Sequence, residues 1–229
     1  MTFNEDIEFM LSKFSHEIRN PLTTLYSTIQ LIEMQHPEVK DFKHWSSLNY
    51  DIEYINQLLD ELSNFAKSEK LNLTNIEMRP FLEHLSLSFA ASIAQSEIEY
   101  TSKIDPYISK ITVDKTKLQE VFLNLLKNAY DASLPKGKIF FTAHIVEKSL
   151  VVKVQDTGCG ITKEQLPTIF QPFVTYKKNG TGLGLAIIDR LTKRMNGKIT
   201  VESVYGEGST FTVYLPQKLI DATPLGDFE

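Results

Sequence analysis

Cysteine is almost absent: the 229 residues hold one, Cys159, alongside one tryptophan, 10 glycines and 9 prolines. A lone thiol closes no internal disulfide and builds no zinc site, a usage that fits a reducing compartment. So few glycines and prolines exclude collagen, low-complexity arrays and a disordered chain. Positive charge is in deficit, with 24 Lys and Arg against 29 Asp and Glu and a net charge of -5. That balance argues against a general binder of phosphate backbones, and nucleic acid is not expected as a partner. Long apolar runs are missing too. The longest weakly polar stretch, Leu85 to Ala94, falls well short of the roughly 18 apolar residues a membrane span requires. The N-terminus has no basic-then-apolar leader pattern. These absences lead to the expectation of a soluble, cytoplasmic protein without a membrane span, large enough for one big domain or two ordinary ones.

What is present is ordered along the chain. Leu11, Ser15, Ile18, Leu22, Leu25, Ile29 and Ile32 step by alternating fours and threes, so they line one seam of a long helix. The rhythm breaks at Gln35-His36-Pro37 and resumes at Trp45, Leu48, Ile52, Ile55, Leu59, Leu62 and Ala66. Two such helices joined by a few residues pack antiparallel. A lone hairpin of this length leaves half of each seam facing water. A homodimer with a four-helix bundle is therefore expected; a monomeric hairpin laid on the following domain is the alternative.

From about Asn72 the pattern turns to alternating helices and short strands. Arg79 to Ala94 reads as a helix and Glu97 to Ile104 as a strand. Asp114 is an acidic N-cap before Leu118, Val121, Phe122, Leu125, Leu126 and Ala129 at helical spacing. Lys138 to Val146 and Leu150 to Gln155 read as one hairpin, and Ile199 to Ser203 with Ser209 to Leu215 as another. Between these hairpins lies a helix from Leu183 to Met195, stopped at Asn196-Gly197. The predicted architecture is α+β: a helical hairpin over 1–71, an α/β sandwich with a mixed sheet over 72–217, and a tail over 218–229.

Chemistry is legible at four places. Asp156-Thr157-Gly158-Cys159-Gly160 follows a strand; its carboxylate can accept a hydrogen bond from an exocyclic amine, and its glycines let a flat ring approach the main chain. Gly180-Thr181-Gly182-Leu183-Gly184-Leu185 runs straight into a helix, whose free N–H groups favour phosphate. Its spacing is not the dinucleotide-fold fingerprint, because Lys177-Lys178-Asn179 before it is polar loop and not a strand. Glu120, Asn124 and Asn128 stand four apart on one helical face, where neutral amides can ligand Mg²⁺ and meet phosphate without repelling it. His16 sits just off the heptad seam, with Glu17 beside it and Asn20 one turn on. A neutral imidazole is a good nucleophile near neutral pH, and a neighbouring carboxylate can hold its tautomer and take its proton. Pro21 removes a backbone hydrogen bond there and is expected to bend the helix. Each feature also has a bland reading as turn, exposed asparagine, solvated lysine or exposed histidine.

Together these segments resemble the catalytic core of two-component sensor histidine kinases, over nearly the whole chain. The resemblance rests on five ordered motifs: FSHEIRNPLT, LQEVFLNLLKNAYDA, DTGCGI, IFQPF and KKNGTGLGLAI. The wording is most similar to the sporulation and nitrogen-regulator types. By that resemblance His16 is the phosphoacceptor, Glu17 its base and orienting partner, and Asn20 a residue that positions water to dephosphorylate a partner. Asn128 ligands Mg²⁺, Asn124 supports the phosphates of ATP and Asp131 lies near the nucleotide. Asp156 binds the adenine amine, Gly158, Gly160 and Ile161 belong to the base pocket, and Thr210 closes its far side. A lid runs from Ile169 to Gly184, anchored by Phe170 and Phe173, with Lys177 on the terminal phosphate and Thr181, Gly182, Leu183, Gly184 and Leu185 in the phosphate loop. Related ATPases carry a glutamate base where Asn124 stands, and an amide cannot deprotonate water, so slow hydrolysis and transfer to histidine are implied. The implied partner is the receiver domain of a response regulator. The competing expectation is a dimeric phosphotransfer or scaffold protein with a degenerate nucleotide domain. No sensing segment precedes the hairpin, so either an orphan kinase or a core parted from its sensor is expected.

Overall fold

The computed structural model describes residues 3–66, 71–177 and 180–217. The expected tail over 218–229 lies outside the described residues, as do Lys178 and Asn179. The chain divides into two compact units, Met1–Glu69 and Lys70–Glu229.

The first unit is the expected hairpin. Helix α1 (Phe3–Gln35) runs without interruption across Pro21. A 3₁₀ turn (Pro37–Asp41) then leads to α2 (Trp45–Ala66). Leu22, Ile29, Ile52 and Leu59 form the core, with Ile18, Tyr26 and Trp45 packed against it. Three seam residues fare differently: Leu25 is 46% exposed, Leu48 40% and Ile55 38%. A two-helix unit can cover only part of a seam this wide, so these three positions face outward. The turn is tied by Glu33 of α1, whose carboxylate accepts from Trp45 Nε1 (2.7 Å) and Asn49 Nδ2 (2.9 Å) on α2.

The second unit is an α/β sandwich. Its five-stranded sheet has the order β2-β4-β5-β7-β6, built from β2 (Glu99–Ile104), β4 (Lys138–Val146), β5 (Ser149–Asp156), β6 (Lys198–Val204) and β7 (Gly208–Pro216). Only β2 and β4 pair in parallel, so the sheet is mixed as expected. Helices α3 (Met78–Ser92), α4 (Lys115–Ser133) and α5 (Gly184–Arg194) accompany it. Period-two burial brings Ile139, Phe141 and Ala143 of β4 to the core, with Leu150, Val152 and Val154 of β5 and Val213 and Leu215 of β7. Against them α4 sets Leu118, Val121, Phe122, Leu125 and Leu126, all fully buried. Burying each such side chain favours folding by about 1.5–3 kcal/mol. The Phe122 and Phe141 rings meet edge to face at 6.1 Å. Asp114 caps α4 as expected, accepting from Lys117 N at 3.0 Å, and its other oxygen accepts from Asn72 N at 2.8 Å.

Two strands are additional to the sequence reading. β1 (Leu73–Glu77) and β3 (Lys110–Asp114) pair antiparallel in a sheet of their own. Helix α4 ends at Ser133.

Candidate functional site

Candidate chemistry lies in both units. In the hairpin, the backbone of His16 is helical within α1, while its side chain lies outside the described ones. Its neighbours define the segment. Ser15 is fully buried on the seam, which places residue 16 about 100° round the helix from it. Glu17 is exposed, with its carboxylate 3.9 Å from Lys13 Nζ one turn back. Arg19 reaches across to α2 and donates to Asp60 at 2.6 Å, and Asn20 is exposed. Pro21 has no N–H to give, so the Glu17 carbonyl lacks its usual helical donor at i+4. The Thr23 and Thr24 hydroxyls donate to the Arg19 and Asn20 carbonyls at 2.8 and 3.2 Å.

In the second unit the polar face of α4 follows from its apolar one. Because Leu118, Val121, Phe122, Leu125, Leu126 and Ala129 are buried on the sheet, Glu120, Asn124 and Asn128 come out half-buried along the helix's rim. Lys117 pairs with Glu120 at 3.6 Å. Further along, Lys177 Nζ donates to Asn128 Oδ1 and to Asp131 Oδ2, each at 3.1 Å. Three residues expected at one site, 46 and 49 positions apart, are thereby gathered. Among the described residues no cluster of three or more His, Cys, Asp or Glu side chains is arranged to hold a metal ion. One amide oxygen with a carboxylate nearby still fits Mg²⁺, which keeps several waters and takes its other oxygens from phosphate.

Asp156 ends β5 and is buried. Its Oδ1 accepts from Gly158 N at 2.9 Å. Burial pushes its carboxyl up, against the opposing pull of the Gly158 and Ser209 backbone N–H groups and the Lys177 charge. The glycines behind it were expected to make room for a flat ring. The space they leave is taken by the protein's own backbone: a side chain at Gly158 would run into the Ala132 carbonyl of α4, and one at Gly160, where φ is +67°, into that of Val204. Thr210 lies beside Gln155 in the β5/β7 register, one residue from the Asp156–Ser209 pair. Ile161 N donates to Ser203 Oγ at 2.8 Å, a partner the motifs gave no reason to single out.

The segment between Ile169 and Gly184 is held differently from expectation. Ile169 is buried and Phe170 half-buried, whereas Phe173 is 58% exposed, with φ +65°. Its placement comes from the main chain: Phe173 N donates to Gly182 O at 3.0 Å, and Gly182, at φ +72°, has no room for a Cβ beside Phe173 and Val174. The next turn opens α5. Leu183 is its N-cap, buried and without a capping side-chain bond, although Thr181 Oγ1 accepts from Leu183 N at 3.2 Å. Gly184 has no atom within 4 Å of where a Cβ would stand, and Leu185 is half-buried. The first turn of α5 thus combines uncapped N–H groups with open space, the arrangement that suits an anion.

A helical hairpin carrying a histidine and a mixed α/β sandwich with an amide-bearing helix define the phosphoacceptor-plus-ATPase class. Residues 7–71 match the His Kinase A (phospho-acceptor) domain, and residues 113–219 the histidine kinase-, DNA gyrase B-, and HSP90-like ATPase. The chain belongs to the two-component histidine kinases and carries their catalytic core. It is 31% identical over 208 residues to the signal transduction histidine-protein kinase AtoS of Escherichia coli (strain K12), covering 90% of this chain and 34% of that protein. It is 32% identical over 206 residues to sporulation kinase C of Bacillus subtilis (strain 168), covering 89% and 47%. The chain thus spans a third to a half of the length of these relatives. Among solved structures, full-length ShkA in complex with AMPPNP superposes with a TM-score of 0.75 at 25% identity, over 90% of this chain and 45% of that one. The histidine kinase ThkA, in complex with the response regulator protein TrrA, gives 0.67 at 25% identity, over 91% and 61%. Among the described residues no helix is long and apolar enough to cross a membrane.

Proposed function

We propose that the chain is an ATP-dependent protein-histidine kinase that phosphorylates its own His16 and passes the phosphoryl group to an aspartate of a response regulator. The observation that carries the reading is the meeting of Lys177, Asn128 and Asp131 within 3.1 Å on an ATPase fold joined to a phosphoacceptor hairpin. The imidazole of His16 attacks the γ-phosphorus, a new N–P bond forms, and the bond to the β-phosphate oxygen breaks so that ADP leaves with its electron pair. Glu17 takes the proton from the other ring nitrogen. Asp156 orients the base by accepting from its amine, the α5 N-terminus and Thr181 to Leu185 cradle phosphate, and Lys177 follows the terminal phosphate. Asn128 would supply an oxygen to Mg²⁺, with Asp131 near the nucleotide, and the ion would neutralise charge on the phosphates. Asn124 offers no carboxylate to activate water, which keeps ATP for the histidine.

In this reading residues 1–71 are the dimerisation and phosphotransfer module, 72–217 the catalytic one and 218–229 a tail. The outward layers at Leu25, Leu48 and Ile55 support a homodimer that completes a four-helix bundle. Asn20, one turn beyond His16 and exposed, suits a second activity in which it positions water to dephosphorylate the regulator. ThkA, solved with a response regulator protein, supports a receiver domain as partner. Incubation with γ-labelled ATP tests the proposal: acid-labile, base-stable label that disappears in His16→Gln is expected. Label that persists in that variant would overturn the assignment.

A further inference from the structure

We propose that Ser203 is a positioning residue for base recognition: its hydroxyl fixes the Asp156–Ile161 loop to the β6–β7 hairpin and so holds Asp156 where it selects an adenine ring. The inference rests on the nucleotide-binding reading above. Ser203 Oγ donates to Gly208 O at 2.8 Å, accepts from Ile161 N at 2.8 Å and lies 3.0 Å from Ser209 Oγ. A hydroxyl has one proton and two lone pairs. Since the proton goes to Gly208, the Ser209 hydroxyl must be the donor in the last pair, and Ser203 is saturated in one orientation.

The consequence reaches Asp156 through register. Ser209 faces Ser203 on one side and Asp156 on the other, so the three lie abreast across β6, β7 and β5. The Ser209 backbone N–H pulls on the Asp156 carboxyl against the effect of its burial, while the Ser209 side chain is pinned by Ser203. The far end of the loop is pinned as well, by Ile161 N on Ser203 and by Gly206 N donating to Cys159 O at 2.8 Å. One hydroxyl therefore ties the far end of the segment directly and, through the Ser209 side chain, the strand residue that lies beside Asp156. Its removal leaves the Ile161 N–H, the Gly208 carbonyl and the Ser209 hydroxyl without their partner, and a buried polar group so orphaned destabilises its surroundings. None of these bonds involves Asn128, Asp131 or Lys177, so the loss falls on the base and not on the phosphates. A carboxylate held in place accepts from the adenine amine and repels the carbonyl oxygen that guanine has at the same ring position.

The test compares the whole chain with Ser203→Ala, Ser203→Thr and Ser209→Ala, measuring ADP and GDP dissociation constants by calorimetry, autophosphorylation kcat and KM, and Tm. Ser203→Ala is expected to weaken ADP binding about tenfold and GDP binding less than about twofold. The KM for ATP should rise with kcat retained, and Ser203→Thr, which keeps the hydroxyl, should restore the preference. A lowered Tm with both nucleotides weakened equally, or an unchanged adenine-to-guanine ratio, would overturn the assignment. If Ser203→Ala does not fold, Ser209→Ala decides: it should narrow the ratio in the same direction, and an unnarrowed ratio refutes the proposal. A wild-type chain that binds no adenine nucleotide would overturn the kinase reading and this assignment together. A wild-type preference for adenine that the variants leave intact would overturn this assignment alone.

Discussion

Lys177 Nζ lies 3.1 Å from Asn128 Oδ1 and 3.1 Å from Asp131 Oδ2, so a loop cation rests on the amide-bearing rim of α4. The pair with Asp131 is open to solvent on both sides, 48% and 39% exposed, and such pairs contribute only about 0–1 kcal/mol. A cation held so weakly is free to follow a stronger anion.

Lys177→Met should therefore weaken ATP far more than ADP. A charge-assisted hydrogen bond to phosphate contributes about 1.5–3 kcal/mol, equivalent to roughly 10- to 100-fold in affinity. Competition binding with the two nucleotides measures the difference. Equal losses for both would move Lys177 away from the terminal phosphate.

Asp156 sets up the opposite expectation for stability and for binding. Burial raises its folded-state pKa above the unfolded value, with the Gly158 and Ser209 N–H groups and Lys177 pulling back. A carboxyl raised in this way binds more protons folded than unfolded between the two values. Stability then falls as pH climbs through that window, and the penalty is complete above the folded pKa. Asp156→Asn removes the penalty while keeping an acceptor for Gly158 N. Its Tm should match or exceed wild type at neutral pH, with the gap closing in acid, while adenine nucleotide affinity drops by about tenfold or more. A Tm well below wild type at pH 7 would show that the ionised carboxylate stabilises the fold.

The motifs made the site's components legible, and period and capping did the same for most of the fold. Asp114 announced α4 because a carboxylate before an apolar helical run has one local use, and the burial of Leu118 to Ala129 brought Asn124 and Asn128 to the rim. The β1/β3 pair was not legible: Leu73–Glu77 and Lys110–Asp114 are five residues each, β1 is almost wholly exposed, and their pairing spans the whole of α3 and β2. β3 does alternate, with Ile111 and Val113 buried, but over only five residues, and β1 has no alternation to mark it as the partner. Ser203 was illegible for another reason. Its importance lies in three partners brought together by β6/β7 register, and a serine on a short strand leaves no periodic trace. The exposure of Phe173 was not legible either, because an aromatic in a motif suggests burial, and its backbone bond to Gly182 leaves no mark in the sequence.

The outward seam makes a prediction about assembly. Leu25, Leu48 and Ile55 are exposed, whereas Leu22, Ile29, Ile52 and Leu59 are covered within the hairpin. Ile55→Glu should shift light-scattering mass from two chains to one with little loss of helical dichroism, because the inner core is untouched. Burial of an apolar side chain of this size contributes about 1.5–3 kcal/mol, and two symmetric sites double the effect in a dimer. A variant that stays dimeric would place the interface on another face.

The turn of the hairpin carries its own reporter. Glu33 accepts from Trp45 Nε1 at 2.7 Å and from Asn49 Nδ2 at 2.9 Å, with Lys40 Nζ 3.8 Å away. The Trp45 bond, then the Asn49 bond, hold the Glu33 carboxyl below its ordinary value of 4.5. A depressed carboxylate contributes stability that is present above the unfolded pKa and lost as pH falls through the folded one. Trp45 is the chain's only tryptophan, so its fluorescence reads this bond without interference. The emission should stay constant down to about the ordinary carboxylate range and change below it, as protonation weakens the charge-assisted bond to the indole. Glu33→Gln should show the acid-limb spectrum already at pH 7 and titrate flat, with a lower Tm at neutral pH that converges on wild type in acid. A variant whose Trp45 emission still titrates at the wild-type midpoint would assign the transition to another group, and Glu33 would then not be what closes the turn.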